Sequence, residues 1–323
     1  MTGSSASRSY DVLAMGRSCI DLYAHEIGVP ITEVKSYDAY VGGCPTNVSV
    51  GSSRLGLRAA LLTAVGDDQV ADHVLHFLRR ERVDTQFIPR KQGRRTSAVI
   101  VTIRPPDDFP ITFYRDNCAD DGLTVEDVER APLGGSRAVF VTGTGLSREP
   151  SRTATLWAAE KSRTLGTDVV LDIDYRPSLW PDATAFGIAV RSLARMADLA
   201  IGTEEEVRAA VGDGDTPAAV RRLLDLGPAA VVLKRGAGGA TIWRADRSCV
   251  DVKPFPVEIL NTLGAGDAFA SGLLYGYLQG WPLERAARLG NATGAIVVTR
   301  HGCSISMPTM TEVEQFVAER GGW

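Results

Sequence analysis

The chain of 323 residues is 44% hydrophobic and 23% charged, enough apolar material for one large α/β domain or a large domain with a smaller appendage. Its 35 Lys and Arg against 39 Asp and Glu give a formal charge of −4, and no window gathers basic residues with interleaved aromatics, which argues against a nucleic-acid surface and for small-molecule chemistry. No stretch approaches the roughly 18 apolar residues of a membrane span, so a membrane partner is not expected. Residues 1–9 are small and polar and predict a disordered tail, with one domain running from Tyr10 to Trp323. The five cysteines, at 19, 44, 118, 249 and 303, are dispersed without a CxxC pair, as expected of a reducing, cytoplasmic compartment.

Short apolar runs begin at 11 (DVLAMG), 59 (AALLTAVG), 138 (AVFVTG), 168 (DVVLDID), 199 (LAIG) and 229 (AAVVLKRG). Segments of helical period near 45–56, 69–82, 150–164, 187–196, 204–211 and 216–226 alternate with them. That rhythm predicts an α/β fold with a mostly parallel sheet sandwiched between helices. Two regions break it. Residues 97–117 read as two strands joined by a Pro-Pro-Asp-Asp turn, and RSCIDLYAHE and SYDAYVGG also read as extended, predicting a small β lid built from about 17–43 and 96–117.

The chemistry concentrates in NTLGAGDAFASGLLYG, residues 261–276. Phe269, Leu273, Leu274, Tyr277 and Leu278 fall on one face of a helix that starts near Ala265 or Gly266. Gly264 and Gly266 clear space around backbone N–H groups that lack helical partners, an arrangement that favours an anion. Asp267 in the first turn is either simple helix-end electrostatics or the acceptor of a proton from an attacking hydroxyl. Earlier, Gly42 and Gly43 precede a helix opened by Pro45, and Asn47 one turn in is a candidate for a hydroxyl-rich ligand. Asp21 follows the first strand, at the end where open α/β sheets place ligands. Lys234 ends a strand and leads into Gly236, Gly238 and Gly239, a pattern that suits a hairpin turn or a backbone approach to nucleotide phosphates.

In their order and spacing these motifs, closed by NATGAIVVTRHGCSISMP, resemble the ribokinase-like (PfkB-type) carbohydrate kinases over essentially the whole chain. The runs GCPTNVSV, PPDDFPITFYR, VTGTGLSREPSR and LDIDYRPSLW carry a narrower likeness to the branch that phosphorylates a keto-deoxy sugar acid in inositol catabolism. The resemblance implies a three-layer α/β/α sandwich with a β lid. It implies Asp267 as general base, the N–H groups of Gly264, Ala265 and Gly266 as an anion hole, and Asp21, Gly42, Gly43 and Asn47 at the sugar. Lys234, Gly236, Gly239 and Asn291 fall to ATP, and Glu206 to Mg2+ through water, with Thr203 standing where relatives carry asparagine. Asn261 replaces a common aspartate that helps bind K+, which puts a monovalent cation in question.

Arg115, after the lid aromatics, and Arg176, after the fourth main strand, are the candidate contacts for a substrate carboxylate, because the planar guanidinium fork matches it. Exposed lid edges suit a homodimer. A sugar- or nucleotide-binding protein without catalysis is the alternative from another class, against which the intact Gly264, Gly266 and Asp267 speak.

Overall fold

The computed structural model describes residues 8–104, 108–212 and 214–323. The tip of the Pro-Pro-Asp-Asp turn and most of the predicted tail lie outside them, although Arg8 is described and donates to the carbonyls of Ser136 and Gly166. In chain order the elements are β1 (Tyr10–Met15), β2 (Cys19–Ala24), β3 (Tyr37–Gly42), α1 (Cys44–Arg54), β4 (Ala59–Leu62), β5 (Val65–Gly66), α2 (Gln69–Arg80), β6 (Arg90–Lys91), β7 (Ser97–Val101) and β8 (Ile111–Tyr114). There follow α3 (Val125–Glu129), β9 (Ser136–Thr142), α4 (Ser151–Thr164), β10 (Asp168–Asp172), α5 (Ala183–Ala194), β11 (Leu199–Thr203), α6 (Glu204–Val211) and α7 (Thr216–Leu224). The last third carries β12 (Ala230–Lys234), β13 (Ala240–Arg244), β14 (Cys249–Val252), α8 (Ala265–Leu278), α9 (Leu283–Val297) and α10 (Met310–Ala318).

The larger sheet has the order β14-β13-β12-β11-β10-β9-β1-β4. Its strands run parallel from β4 through β12, and β13 and β14 are added antiparallel at one edge. Parallel strands covered on both faces need apolar residues on both, and Val12–Met15 of β1 and Ala138–Val141 of β9 meet that need. Val12, Ala14, Ala138 and Phe140 enter one core, while Leu13, Met15, Val139 and Val141 enter the core on the opposite face. The first core is closed largely by α1, α2 and α8, the second by α4, α5, α6 and α7.

The segments that interrupt the alternation pair with one another in a second sheet of order β3-β2-β7-β8. Its inner face contributes Tyr23, Val99 and Val101 to a small apolar cluster with Cys303, so the second sheet is packed against the loop that follows α9. A cleft remains between the two sheets, at the carboxyl ends of the parallel strands.

Candidate active site

The cleft opens to solvent and is lined by charged and apolar side chains of the smaller sheet, of α8 and of the loops after β1 and β10. One wall is the N-terminus of α8. Gly264 is its N-cap at φ 81°, a left-handed conformation that glycine adopts without steric cost, and a Cβ there would lie 3.1–3.2 Å from Cys303. No side chain caps this helix end. The Ala265 amide donates to the Thr262 carbonyl across a long 3.3 Å, whereas the amides of Gly264, Gly266 and Asp267 have no acceptor among the described residues. The free donors therefore keep Gly264 and Gly266 of the expected set and have Asp267 in place of Ala265.

Asp267 borders the cleft from the first turn of α8. The Asn47 amide donates to its Oδ2 at 2.6 Å, so two motifs 220 residues apart form one hydrogen-bonded pair. Burial raises the Asp267 carboxyl above its ordinary value, and hydrogen bonds from Asn47 and the Cys44 thiol pull the other way. Asn47 is placed by α1, which starts at Gly43 with φ 103°; a Cβ on Gly43 would come within 2.4 Å of the Arg17 carbonyl. Gly42 lies behind Asp21, where a Cβ would overlap the carboxylate at 1.8 Å. Its role is to make room for Asp21 rather than to line the cleft.

Asp21 borders the cleft and accepts from the Cys19 thiol at 3.0 Å. Burial pushes its carboxyl up to about 6, opposed by Arg17 and Cys19 and reinforced by the charge of Asp267. Arg176 also borders the cleft, its Nε donating to Asp174 Oδ1 at 3.0 Å. Asp174 holds φ 38°, uncommon for a residue with a side chain, and accepts a second bond from Thr144 Oγ1 at 2.9 Å. Burial disfavours its charge, but Arg176, Arg17 and Thr144 outweigh that and keep the Asp174 carboxyl below its usual range.

The placement of Arg115 corrects the sequence expectation. Its side chain is 4% exposed, bonded to Asp120 and Asp121, and does not border the cleft. The turn at Asp120–Gly122 folds two carboxylates back onto the end of β8, and buried charges of that sign require a cation. Arg17, which the motif reading passed over, borders the cleft instead. The signal was available, since Arg17 follows the first parallel strand, β1, directly, whereas Asp21 lies within β2 of the smaller sheet.

A second group of charges stands beside α8. Lys234, at the end of β12, donates to both carboxylate oxygens of Asp172 at 3.1 and 3.0 Å and lies 3.9 Å from Glu206. Burial works against its ammonium, but Asp172 and Glu206 outweigh it and hold the pKa well above the ordinary lysine value. A Cβ on Gly266 would sit 3.3 Å from Lys234 Nζ, which places this cation next to the free amides. Glu206 and Thr203 form a capping box: Thr203 Oγ1 accepts from the Glu206 amide at 3.2 Å, and Glu206 accepts from the Thr203 amide at 2.7 Å. The departure at Thr203 thus supplies a good N-cap.

Gly236 and Gly239 turn the β12–β13 hairpin, in which Lys234 pairs with Ala240. Gly239 is required by packing, because a Cβ would meet the Val252 carbonyl at 2.2 Å. Asn291 on α9 donates to the carbonyls of Val252 and Lys253, so it reaches the same stretch of backbone. Asn261 is fully buried and doubly engaged, with Oδ1 accepting from the Leu263 amide at 3.0 Å and Nδ2 donating to the His301 carbonyl at 2.8 Å.

A family model described as pfkB family carbohydrate kinase matches residues 10–310. The chain belongs to the PfkB family of carbohydrate kinases. A curated relative from Geobacillus kaustophilus (strain HTA426), named 5-dehydro-2-deoxygluconokinase, is 35% identical over 314 residues, spanning 96% of this chain and 94% of the relative. Among solved PfkB-like folds, an E. coli protein described as a ribokinase II, in complex with ATP and Mg2+, superposes with a TM-score of 0.88 at 25% identity, covering 96% of this chain and 99% of the other. A fructokinase double mutant from Vibrio cholerae O395, with fructose, ADP and potassium bound, superposes with a TM-score of 0.85 at 26% identity over 96% and 99% of the two chains. As a PfkB kinase, this protein is an enzyme that transfers phosphate from ATP to a sugar hydroxyl. No helix among the described residues is long and apolar enough to cross a membrane.

Proposed function

We propose that this chain phosphorylates the C6 primary hydroxyl of 5-dehydro-2-deoxy-D-gluconate, a step of inositol catabolism. The observation that carries the reading is the pairing of Asp267 with Asn47 at the uncapped end of α8, in a cleft that also holds two arginines. Asp267 accepts the proton of the attacking hydroxyl, and Asn47 holds the carboxylate in place. Asn47 Oδ1, buried and without a partner, is an acceptor for a second sugar hydroxyl, and Asp21 for a third.

ATP supplies the phosphoryl group, and its phosphates suit the free amides at Gly264, Gly266 and Asp267 with Lys234 beside them. The donor set fits an anion, since it combines N–H groups, a helix N-terminus and a buried ammonium. Glu206 is the carboxylate that would hold Mg2+, through water, and the ion would offset phosphate charge. Gly239 and Asn291, both against the backbone at residues 252–253, with Gly236 in the same hairpin turn, are the residues this reading gives to the nucleotide. An aspartate is a weak base, but a loose phosphoryl-transfer transition state demands little early proton removal.

The smaller sheet acts as a lid that excludes water, which would otherwise compete as acceptor. Tyr114 on its edge strand β8 and Ile27 and Ile31 in the β2–β3 connection are exposed, and its edge strands β3 and β8 suit pairing with a second copy, which light scattering would reveal as a dimer. The function is tested by ADP release from MgATP against 5-dehydro-2-deoxygluconate, 2-dehydro-3-deoxygluconate, ribose, fructose and adenosine. Preference for the first compound supports the assignment, and preference for the second moves it to a 2-dehydro-3-deoxygluconate kinase. Silence with all five leaves a sugar- or nucleotide-binding protein.

A further inference from the structure

The two guanidinium groups of the cleft are not equivalent. Arg176 has a protein counter-ion in Asp174. Arg17 donates through Nη1 to the Cys19 sulfur at 2.9 Å, its Nε is buried without an acceptor, and no carboxylate lies within ion-pairing distance of it among the described residues. A thiol sulfur is a weak acceptor for a group that carries five N–H donors. The same Cys19 thiol donates onward to Asp21 at 3.0 Å, so the sulfur stands between the guanidinium and the Asp21 carboxylate and takes the place of a direct contact between them. Phe113 of the smaller sheet covers the cation with its ring centroid 5.3 Å from Cζ.

Asp21, Asp174 and Asp120 act on the Arg17 charge only from beyond contact distance, so its donors stay open to a ligand. Arg115 has Asp120 and Asp121, and Lys234 has Asp172. Of these three cations Arg17 alone has no carboxylate in direct contact among the described residues, and it lines the same cleft as Asp267. Arg176 stands with it at this end, since both guanidinium groups act on the charge of Asp174.

We infer that Arg17, with Arg176 beside it, binds the carboxylate of the acid substrate and so selects an acid over a neutral sugar. The inference rests on the acid-kinase reading above and gives to Arg17 the task that the sequence offered to Arg115. Cys19 then has a positioning role, holding the guanidinium off Asp21 until the ligand carboxylate takes the open donors.

The test compares wild type, Arg17→Gln and Arg17→Lys, each checked for folding by circular dichroism. Binding of 5-dehydro-2-deoxygluconate and of its C1 amide is measured by calorimetry without nucleotide, and turnover of both with MgATP. Loss of a charge-assisted bidentate contact should weaken acid binding in Arg17→Gln by about 10- to 100-fold, raise KM more than it lowers kcat, and abolish the preference for acid over amide. Arg17→Lys should recover part of that preference, since it keeps the charge and loses the fork. A preference for acid that survives intact in both variants overturns the inference and leaves the acid-kinase reading standing. A wild-type enzyme that binds acid and amide equally removes that reading and the inference with it. If Arg17→Gln does not fold, undiminished acid preference in Arg17→Lys overturns the role of the fork.

Discussion

Replacing Asp267 by Asn separates its chemical role from its structural one. The substitution keeps size and shape, and the new side chain can still present an oxygen to Asn47 Nδ2, which now donates at 2.6 Å. What it loses is the ability to take a proton. Loss of a general base lowers turnover by on the order of 10²- to 10⁴-fold, or about 3–5 kcal/mol of transition-state stabilisation. Stability should move little. Asn forgoes the attraction between a first-turn carboxylate and the α8 dipole, about 0.3–1 kcal/mol, but it removes a charge that burial disfavours.

The sign of the second effect is fixed by linkage. The folded pKa of Asp267 is raised, so its contribution to stability is fully present below its unfolded value of about 4 and is lost as pH climbs through the folded value. The melting temperature of Asp267→Asn minus that of wild type should therefore increase as pH is raised from about 4 to 7. Coupled ADP release and thermal denaturation on the same preparations give both numbers. Turnover within about threefold of wild type would refute the general-base role. A melting difference that falls with rising pH would refute the reading of a carboxyl disfavoured by burial.

Arg115→Ala leaves Asp120 and Asp121 buried without their cation and should cost about 3–5 kcal/mol, seen as a fall in melting temperature on the order of 10 °C; an unchanged melting temperature with a raised KM for the acid would return Arg115 to the substrate. In the pH profile of kcat/KM, the acid limb should lie above the ordinary carboxyl value of about 4 and extend toward about 6, with activity rising as Asp267 and Asp21 lose protons; a limb at or below about 4 contradicts their burial. Lys234→Ala removes the ammonium beside Gly266 and should lower kcat/KM for ATP by about 10-fold or more, whereas unchanged ATP kinetics would detach Lys234 from the phosphates. Because both polar groups of Asn261 are satisfied within the protein, exchanging K+ for a bulky organic cation at constant ionic strength should change kcat by less than about twofold, and strong K+ activation would contradict that role.

The parallel sheet was legible because its strands are apolar at consecutive positions and the intervening helices carry a 3.6-residue period. The start of α8 was legible from Phe269, Leu273 and Leu274, and the turn before it from its glycines. Residues whose roles depend on a partner distant in sequence were not. Asn47 meets Asp267 across 220 positions, and Lys234 reaches Gly266 through the packing of β12 against α8. Arg115 misled for a related reason: its partners lie only five and six residues on, but a turn that returns two carboxylates to a strand end has no periodic signature. Arg17 is conspicuous only once its open donors and its place on the cleft are known.

The central claim is that phosphate passes from ATP to the C6 oxygen of a keto-deoxy sugar acid held over Asp267. Phosphorus-coupled proton NMR of the product formed from 5-dehydro-2-deoxygluconate and MgATP tests it most directly. The account predicts a single ester whose phosphorus couples to the two C6 protons. An ester at another carbon, or only inorganic phosphate, would contradict it.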